Sequence, residues 1–333
     1  MSRREKFVLV SVIIPVFNGE RYLTECLESV KACMSPEIEC IVVNDGSTDG
    51  TQEISQRFVS ADTRFRLINK ENSGVSESRN LGMAEASGNY IFFLDADDYI
   101  NTEQWSEILL HAGRNAYDLV AYGYYNLFDS GSVKAEQFPE NCDIKLALLS
   151  TTMLNTCWGT LLRRELIIKT GLRFRKELKT CEDAIFMLDF AQESRNILLS
   201  NTYVLFYRIH SGGVTRSTGI ENRLADFASL YERRLTYLSD NFDEDSRIAM
   251  YRQFFSVVTD FFRSYTENRR IIEIRLEYKK NLKNPTVAAI IGETKMGFLT
   301  YSYKKLEYLL MSCGFCACLA IYFKIKGRLR PSA

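Results

Sequence analysis

The chain has almost no histidine, no excess of either charge and no apolar run long enough to cross a bilayer. Its 333 residues include 2 histidines, and 42 basic residues offset 42 acidic ones. Zero net charge removes the footprint of a general nucleic-acid binder, so no nucleic-acid partner is expected. With so few histidines, the nine cysteines (26, 33, 40, 142, 157, 181, 313, 316 and 318) cannot readily complete zinc sites. Their odd number and irregular spacing also exclude a disulfide framework, which points to a reducing cytoplasmic compartment. Cys313-Gly314-Phe315-Cys316 has C-x-x-C spacing, but it lacks a second pair and has apolar neighbours, so it reads as buried thiols. Tyr308 to Phe323, sixteen residues, falls short of the roughly 20 that a spanning helix needs. Lysines and arginines flank it between 304 and 330, so it is expected to lie in the membrane interface at the inner face of the cell membrane. A core helix with a basic tail is the alternative. At the other end, Val8–Val16 follows Arg3, Arg4 and Lys6, but Ser11 and Pro15 interrupt it, which suits a strand better than a signal peptide.

What is present is an alternation. Val8–Pro15 reads as a buried strand ended by proline and the Asn18-Gly19 turn. Tyr22, Leu23, Cys26, Leu27 and Val30 then share one helical face. Glu39–Asn44 is a second strand running into Asp45-Gly46-Ser47-Thr48-Asp49-Gly50, and a helix follows to about Ser60. Arg66–Ile68 is a short third strand, followed after Asn69-Lys70-Glu71-Asn72-Ser73-Gly74 by a helix from Val75 to Ala86. Tyr90–Leu94 is the fourth. Such spacing predicts βαβ units, a parallel, doubly wound sheet and right-handed crossovers. The loops after strands one, two and four should therefore share one rim, where ligands bind in open α/β sheets.

On that rim the fourth strand stops at Asp95, Asp97 and Asp98, three carboxylates in four positions. Crowded anions repel unless a cation sits among them, and hard oxygens suit Mg²⁺ or Mn²⁺. An acidic turn before a helix capped by Asn101 or Thr102 is the plainer alternative. Further on, Tyr117–Tyr125 reads as a strand, Phe128–Cys142 as a polar loop and Thr202–Arg208 as a last strand. After it, His210–Ser217 reads as a mobile loop of glycines and hydroxyls, with Arg208 and Arg216 as cations that could offset the charge of an anionic ligand. Thr180 with the acids after it reads as a capping box for an apolar helix. Beyond Gly219 the apolar spacing becomes helical throughout.

The phrases Ser11-Val12-Ile13-Ile14-Pro15-Val16-Phe17-Asn18, Val43-Asn44-Asp45-Gly46-Ser47-Thr48-Asp49, Asn72-Ser73-Gly74 with Arg79-Asn80-Leu81-Gly82, and Leu94-Asp95-Ala96-Asp97-Asp98 occur in this order over about the first hundred residues. Together they resemble the family 2 glycosyltransferases of GT-A fold. The resemblance implies a catalytic domain over 1–219, divided into a nucleotide-binding half (1–100) and an acceptor half (101–219), with a helical region at 220–333. It implies an inverting transfer of one sugar from a UDP-sugar to a hydroxyl of a glycan or lipid-linked acceptor in cell-surface polysaccharide synthesis. The absence of a Gln-x-x-Arg-Trp motif argues against the processive branch.

By the same resemblance, Asp45 would accept a hydrogen bond from the uracil ring N–H, and Pro15, Phe17 and Glu20 would line the base and ribose pocket. Asp95 would face ribose and metal, Asp97 would bind the metal with Ala96 between them, and His210 would be a third metal ligand. Arg79 would neutralise phosphate or tie the acidic loops together. Trp158 is placed either against a sugar face or in the core. Glu182 and Asp183 match the family's catalytic pair, Asp183 being favoured as the base that removes the acceptor's proton. A sugar nucleotidyltransferase and a catalytically silent, membrane-tethered binding module are the rival readings. The former lacks a glycine- and lysine-rich phosphate loop after strand one, and the latter would have no use for the acids at 45, 95, 97 and 183.

Overall fold

A computed structural model describes residues 9–33, 35–139 and 154–210, with positions 226, 229, 230, 233 and 234 farther on. The chain divides into two compact units, Met1–Ser217 and Thr218–Ala333. In the second, the five described positions are helical, and Leu230 and Arg234 among them are buried. The basic segment 304–330, the cysteines at 313 and 316, the loop expected around Arg216 and the helical positions expected beyond 234 lie outside the described residues.

The first unit begins with β1 (Val10–Val16), α1 (Glu20–Cys33), β2 (Ile38–Asn44), α2 (Thr51–Ala61), β3 (Phe65–Asn69), α3 (Val75–Glu85) and β4 (Tyr90–Phe93). It continues with β5 (Tyr99–Ile100), α4 (Trp105–Arg114), β6 (Leu119–Phe128), β7 (Val133–Glu136), β8 (Thr160–Arg163), α5 (Arg164–Thr170), α6 (Glu182–Glu193) and β9 (Ile197–Ile209). The strands form one sheet in the order β3-β2-β1-β4-β8-β6-β9-β5, with β7 hairpinned on β6. β1 to β4 pair in parallel, whereas β8 enters antiparallel to both β4 and β6. The sheet is thus mixed, and its parallel half carries the expected βαβ order.

Every residue of β1, β2 and β4 is buried, as a parallel strand covered by helices on both faces requires. α1 buries Leu23, Cys26, Leu27, Val30 and Cys33 along one face. Tyr22, expected on that face, instead packs its ring 5.0 Å from His210 and under the Arg208 guanidinium. Phe93, Phe174 and Phe186 close the core on the α6 side, the last two stacked at 4.0 Å.

The topology creates the site. From β1 the chain builds outward through β2 and β3, then returns to place β4 on the other side of β1. The loops after β1 and β4 flank that switch point, close enough that a Cβ on Gly19 would come 3.8 Å from the Ala96 Cβ; the crevice outside the strand ends at such a point is where ligands bind in open α/β sheets.

Four local expectations are corrected. The stretch 128–142 is not simply a loop: β6 runs to Phe128, and Val133–Glu136 pairs back on it. That strand is mostly exposed, so it lacks the apolar alternation that marks a half-buried one. Asn101 precedes a short 3-10 turn (Thr102–Gln104) without capping it; its amide donates to the Tyr203 carbonyl instead. Thr180 is not the cap of α6, because Cys181 in left-handed conformation (φ 62°) occupies that position. The last strand is also longer than expected, since its register with β6 continues on both sides of an irregularity at Tyr122–Tyr124.

Candidate active site

The loops after β1 and β2 are stitched into one surface. Asn18 accepts from the Thr48 N–H (2.9 Å), its own N–H donates to Ser47 Oγ (2.9 Å), and Gly19 donates to Thr51 Oγ1 (2.9 Å). Glu20 Oε2 accepts from the Gly50 N–H at 2.8 Å, so this expected pocket residue also braces the second loop. Pro15 is buried within β1 opposite Val43, and Phe17, the next odd position, stands 52% exposed at the strand's end.

Asp45 sits at the head of that surface, 4% exposed. Its Oδ1 accepts from the Ser73 N–H (2.9 Å) and its Oδ2 from the Gly74 N–H (2.8 Å), the last turn of chain before α3. A carboxylate is stabilised there by the amide donors themselves and by the positive end of the helix. Gly74 presents its N–H with φ +96°, and Gly46 lies so close to the same loop that a Cβ would come 2.8 Å from Asn72 N. Lys70 adds an ion pair to Asp45 Oδ1, a contact the sequence did not flag.

Across the crevice, Arg79 is buried on α3 and reaches in two directions. Its Nη2 is 3.1 Å from Asp95 Oδ1 and its Nη1 is 2.8 Å from Glu182 Oε1, while the guanidinium lies over Phe174. Of the two roles implied for Arg79, the geometry found is the one that ties acidic elements together. Burial raises the Asp95 carboxyl above its usual range against the opposing pull of Arg79, and Asp97 adds to the rise.

Asp97 pairs with His210, whose Nε2 stands 2.9 Å from Asp97 Oδ2. β9 carries the histidine there across 113 residues of sequence. The strand is locked to the acidic loop by Arg208, whose N–H donates to Asp98 Oδ1 (2.8 Å) and whose Nε donates to the Asp97 carbonyl (2.9 Å). Arg208 Nη2 is taken up by Glu25 at 2.6 Å. Asp98 is buried, with its pKa pushed well up by desolvation and by Asp97; it is a structural acid that fastens β9. Ala96 lies between the two candidate ligands, partly exposed.

Glu182 and Asp183 open α6. Asp183 accepts the Ala184 N–H at 2.8 Å, and burial, then the neighbouring Glu182 charge, pushes its carboxyl up to about 8. A carboxylate so placed is poised to hold or give up a proton near neutral pH. Trp158 is 6% exposed, stacked on Tyr207 at 4.8 Å and edge-on to Tyr124, which makes it a core residue.

No group of three or more His, Cys, Asp and Glu side chains able to hold a metal ion is assembled among the described residues. The chemistry of the rim still fits a hard divalent cation. Asp97 is 38% exposed beside His210, and Asp95 has committed Oδ1 alone to Arg79, so ligand oxygens from a bound phosphate would complete the shell.

The model of the family described as glycosyl transferase family 2 matches residues 11–171. The uncharacterized glycosyltransferase RT0329 of Rickettsia typhi is 30% identical over 92% of both chains. The chain belongs to glycosyltransferase family 2. Several other curated glycosyltransferases are matched over only 37% to 70% of their own lengths, so the chain spans part of them. Staphylococcus aureus TarS, a poly(ribitol-phosphate) beta-N-acetylglucosaminyltransferase, is 27% identical over 59% of this chain and 35% of its own. The crystal structure of its residues 1–349 with UDP superposes with a TM-score of 0.68 at 18% identity, covering 97% of this chain and 93% of that one. The same TarS portion has been solved with UDP-GlcNAc. A mannosyltransferase from Pyrobaculum calidifontis, in complex with GDP-Man and Mn²⁺, superposes at 0.56 with 13% identity over 95% and 87% of the chains. The fold of this family 2 member is the GT-A fold, as expected, and its membership in a glycosyltransferase family speaks against the nucleotidyltransferase reading. No described helix is long and apolar enough to cross a membrane.

Proposed function

We propose that the enzyme transfers one sugar from a UDP-sugar to a hydroxyl of a glycan or lipid-linked acceptor, with inversion, in the synthesis of a surface polysaccharide. The observation that carries this reading is the Arg79 bridge, which brings Asp95 at the end of β4 and the Glu182-Asp183 start of α6 into one site. A donor anchored along the β1 and β2 loops would direct its diphosphate toward Asp95 and Asp97, leaving the anomeric carbon to face α6. The acids at 95 and 97 would hold a Mg²⁺ or Mn²⁺, with His210 as a third ligand once it releases its contact with Asp97. Such an ion, when bound, supplies Lewis-acid stabilisation of the departing diphosphate.

The chain's own residues do the rest. Asp45 accepts the uracil N–H, and Pro15, Phe17 and Glu20 flank base and ribose. Asp183, with its proton affinity raised, removes the acceptor hydroxyl's proton as the oxygen attacks, and the opposite-face approach gives inversion. Glu182, held by Arg79, fixes the start of the helix and binds acceptor. Support for a UDP-sugar comes from the chemistry at Asp45 together with the nucleotides bound by TarS. Residues 304–330 would bring the enzyme to the membrane that carries a lipid-linked acceptor.

The test is hydrolysis and transfer with UDP-glucose, UDP-galactose and their N-acetylated forms, with Mn²⁺ or Mg²⁺ and with chelator. Metal-dependent release of UDP from one of these donors is expected. Turnover with GDP-sugars alone, or none with any donor after acceptor screening, overturns the reading.

A further inference from the structure

We propose that Lys70 sets the choice of nucleotide base by filling one oxygen of Asp45, so that this carboxylate keeps room for a single N–H donor. The inference rests on the reading of Asp45 as the residue that meets the base. Each carboxylate oxygen has about two acceptor positions. Asp45 Oδ1 takes both the Lys70 ammonium and the Ser73 N–H, whereas Oδ2 takes the Gly74 N–H alone. The open position therefore lies on Oδ2.

Lys70 is not a loose surface lysine that happens to touch an acid. Its ammonium has three N–H donors, and they are spent on Asp45 Oδ1, the Glu71 carbonyl at 2.8 Å and Ser73 Oγ at 2.5 Å. The side chain is only 18% exposed. A cation held on three sides within one tight loop is a fixed part of the pocket wall, with no N–H left for a ligand.

The consequence follows from the edges of the bases. Uracil offers one ring N–H between two carbonyls, which suits one free acceptor position. Guanine offers a ring N–H beside an amino group, a pair that engages both oxygens of a carboxylate, and here one oxygen is already occupied. Cytosine and adenine have no ring N–H on that edge; each offers an amino group beside a ring nitrogen lone pair that faces the acid unfavourably. Lys70 thus acts against guanine in particular. The GT-A fold as such does not exclude that base, since the Pyrobaculum enzyme holds GDP-Man.

The test is calorimetric titration of UDP and GDP into the full chain, into Lys70→Met and into Asp45→Ala. Lys70→Ala is made alongside, so that the measurement survives if one lysine variant fails to fold. The wild type is expected to prefer UDP, and both lysine variants to narrow that preference about tenfold, the scale of one buried polar mismatch. An unchanged UDP-to-GDP ratio in a folded lysine variant overturns the proposal while leaving the UDP reading in place. Loss of both nucleotides together overturns it too, because Lys70 would then be a direct contact. Asp45→Ala binding UDP like the wild type would instead remove the underlying reading, and with it this one.

Discussion

Arg79 Nη1 lies 2.8 Å from Glu182 Oε1, joining residues 103 positions apart and fastening α3 to the first turn of α6. The other arm of the same guanidinium holds Asp95. Two acidic side chains from distant segments thereby depend on one buried cation.

Arg79→Met should be costly in both stability and activity. Removing the cation leaves two partly buried carboxylates facing each other, and breaking a buried pair typically costs about 3–5 kcal/mol. Chemical denaturation of the variant checks the first part. The second is checked by turnover in variant that remains folded; a loss below about 1 kcal/mol would mean that the bridge is not holding the site.

Asp183→Asn should bind UDP as the wild type does but lose turnover about 100- to 10,000-fold, the usual range for a general base. A wild-type rate would pass the role to Glu182.

The same residue sets two pH dependences. Its carboxyl is raised from 3.8 to about 8, so between those values the unfolded chain has released a proton that the folded chain retains. Stability from this group is therefore fully present below about pH 4 and declines as pH rises toward 8. Turnover by a base must run the other way, with kcat/KM rising toward about pH 8 and flattening above. Asp183→Asn should flatten the rate profile and reduce the stability slope by this group's share, Asp95 and Asp98 keeping theirs; denaturation and rate profiles measured over roughly pH 5 to 9 decide it.

Asp97→Ala should abolish Mn²⁺ binding in the presence of UDP, read by the loss of the bound-ion signal in electron paramagnetic resonance. His210→Ala should weaken it by about 10-fold or more. Undiminished Mn²⁺ binding in Asp97→Ala would remove that residue from the ligand set.

Trp158→Ala should destabilise the fold by about 3–5 kcal/mol, as expected for an aromatic lost from a packed core. Its ring is stacked on Tyr207, so Trp158→Phe should recover part of the loss. A thermal transition unchanged in the alanine variant would put the ring at the surface, against a sugar.

The sequence carried its information unevenly. β1, β2 and β4 were legible because strands buried on both faces must be apolar throughout, and the turns that end them need glycine, proline, aspartate or asparagine. β5 and β7 were not. The first has two residues, too few for any period, and the second is mostly exposed and reads Val-Lys-Ala-Glu. The capping box at Thr180 failed for a related reason, because a left-handed residue is rare outside glycine and nothing in the local pattern announces one at Cys181. Lys70 escaped notice as one lysine in a polar loop; only its three acceptors give it a place.

By itself the chain settled the order of strands and helices as far as β4, the carboxyl-end loops and the acidic run after β4, since these follow from local periodicity and from electrostatic repulsion between neighbours. It could not determine which distant charges would meet. Arg79 with Glu182, Asp97 with His210 and Lys70 with Asp45 are pairs made when α3 meets α6, β9 closes back on the acidic loop and β3 lies beside β2. Burial then decided their chemistry, because a carboxylate's proton affinity depends on how much water and which charges the folded neighbours leave around it.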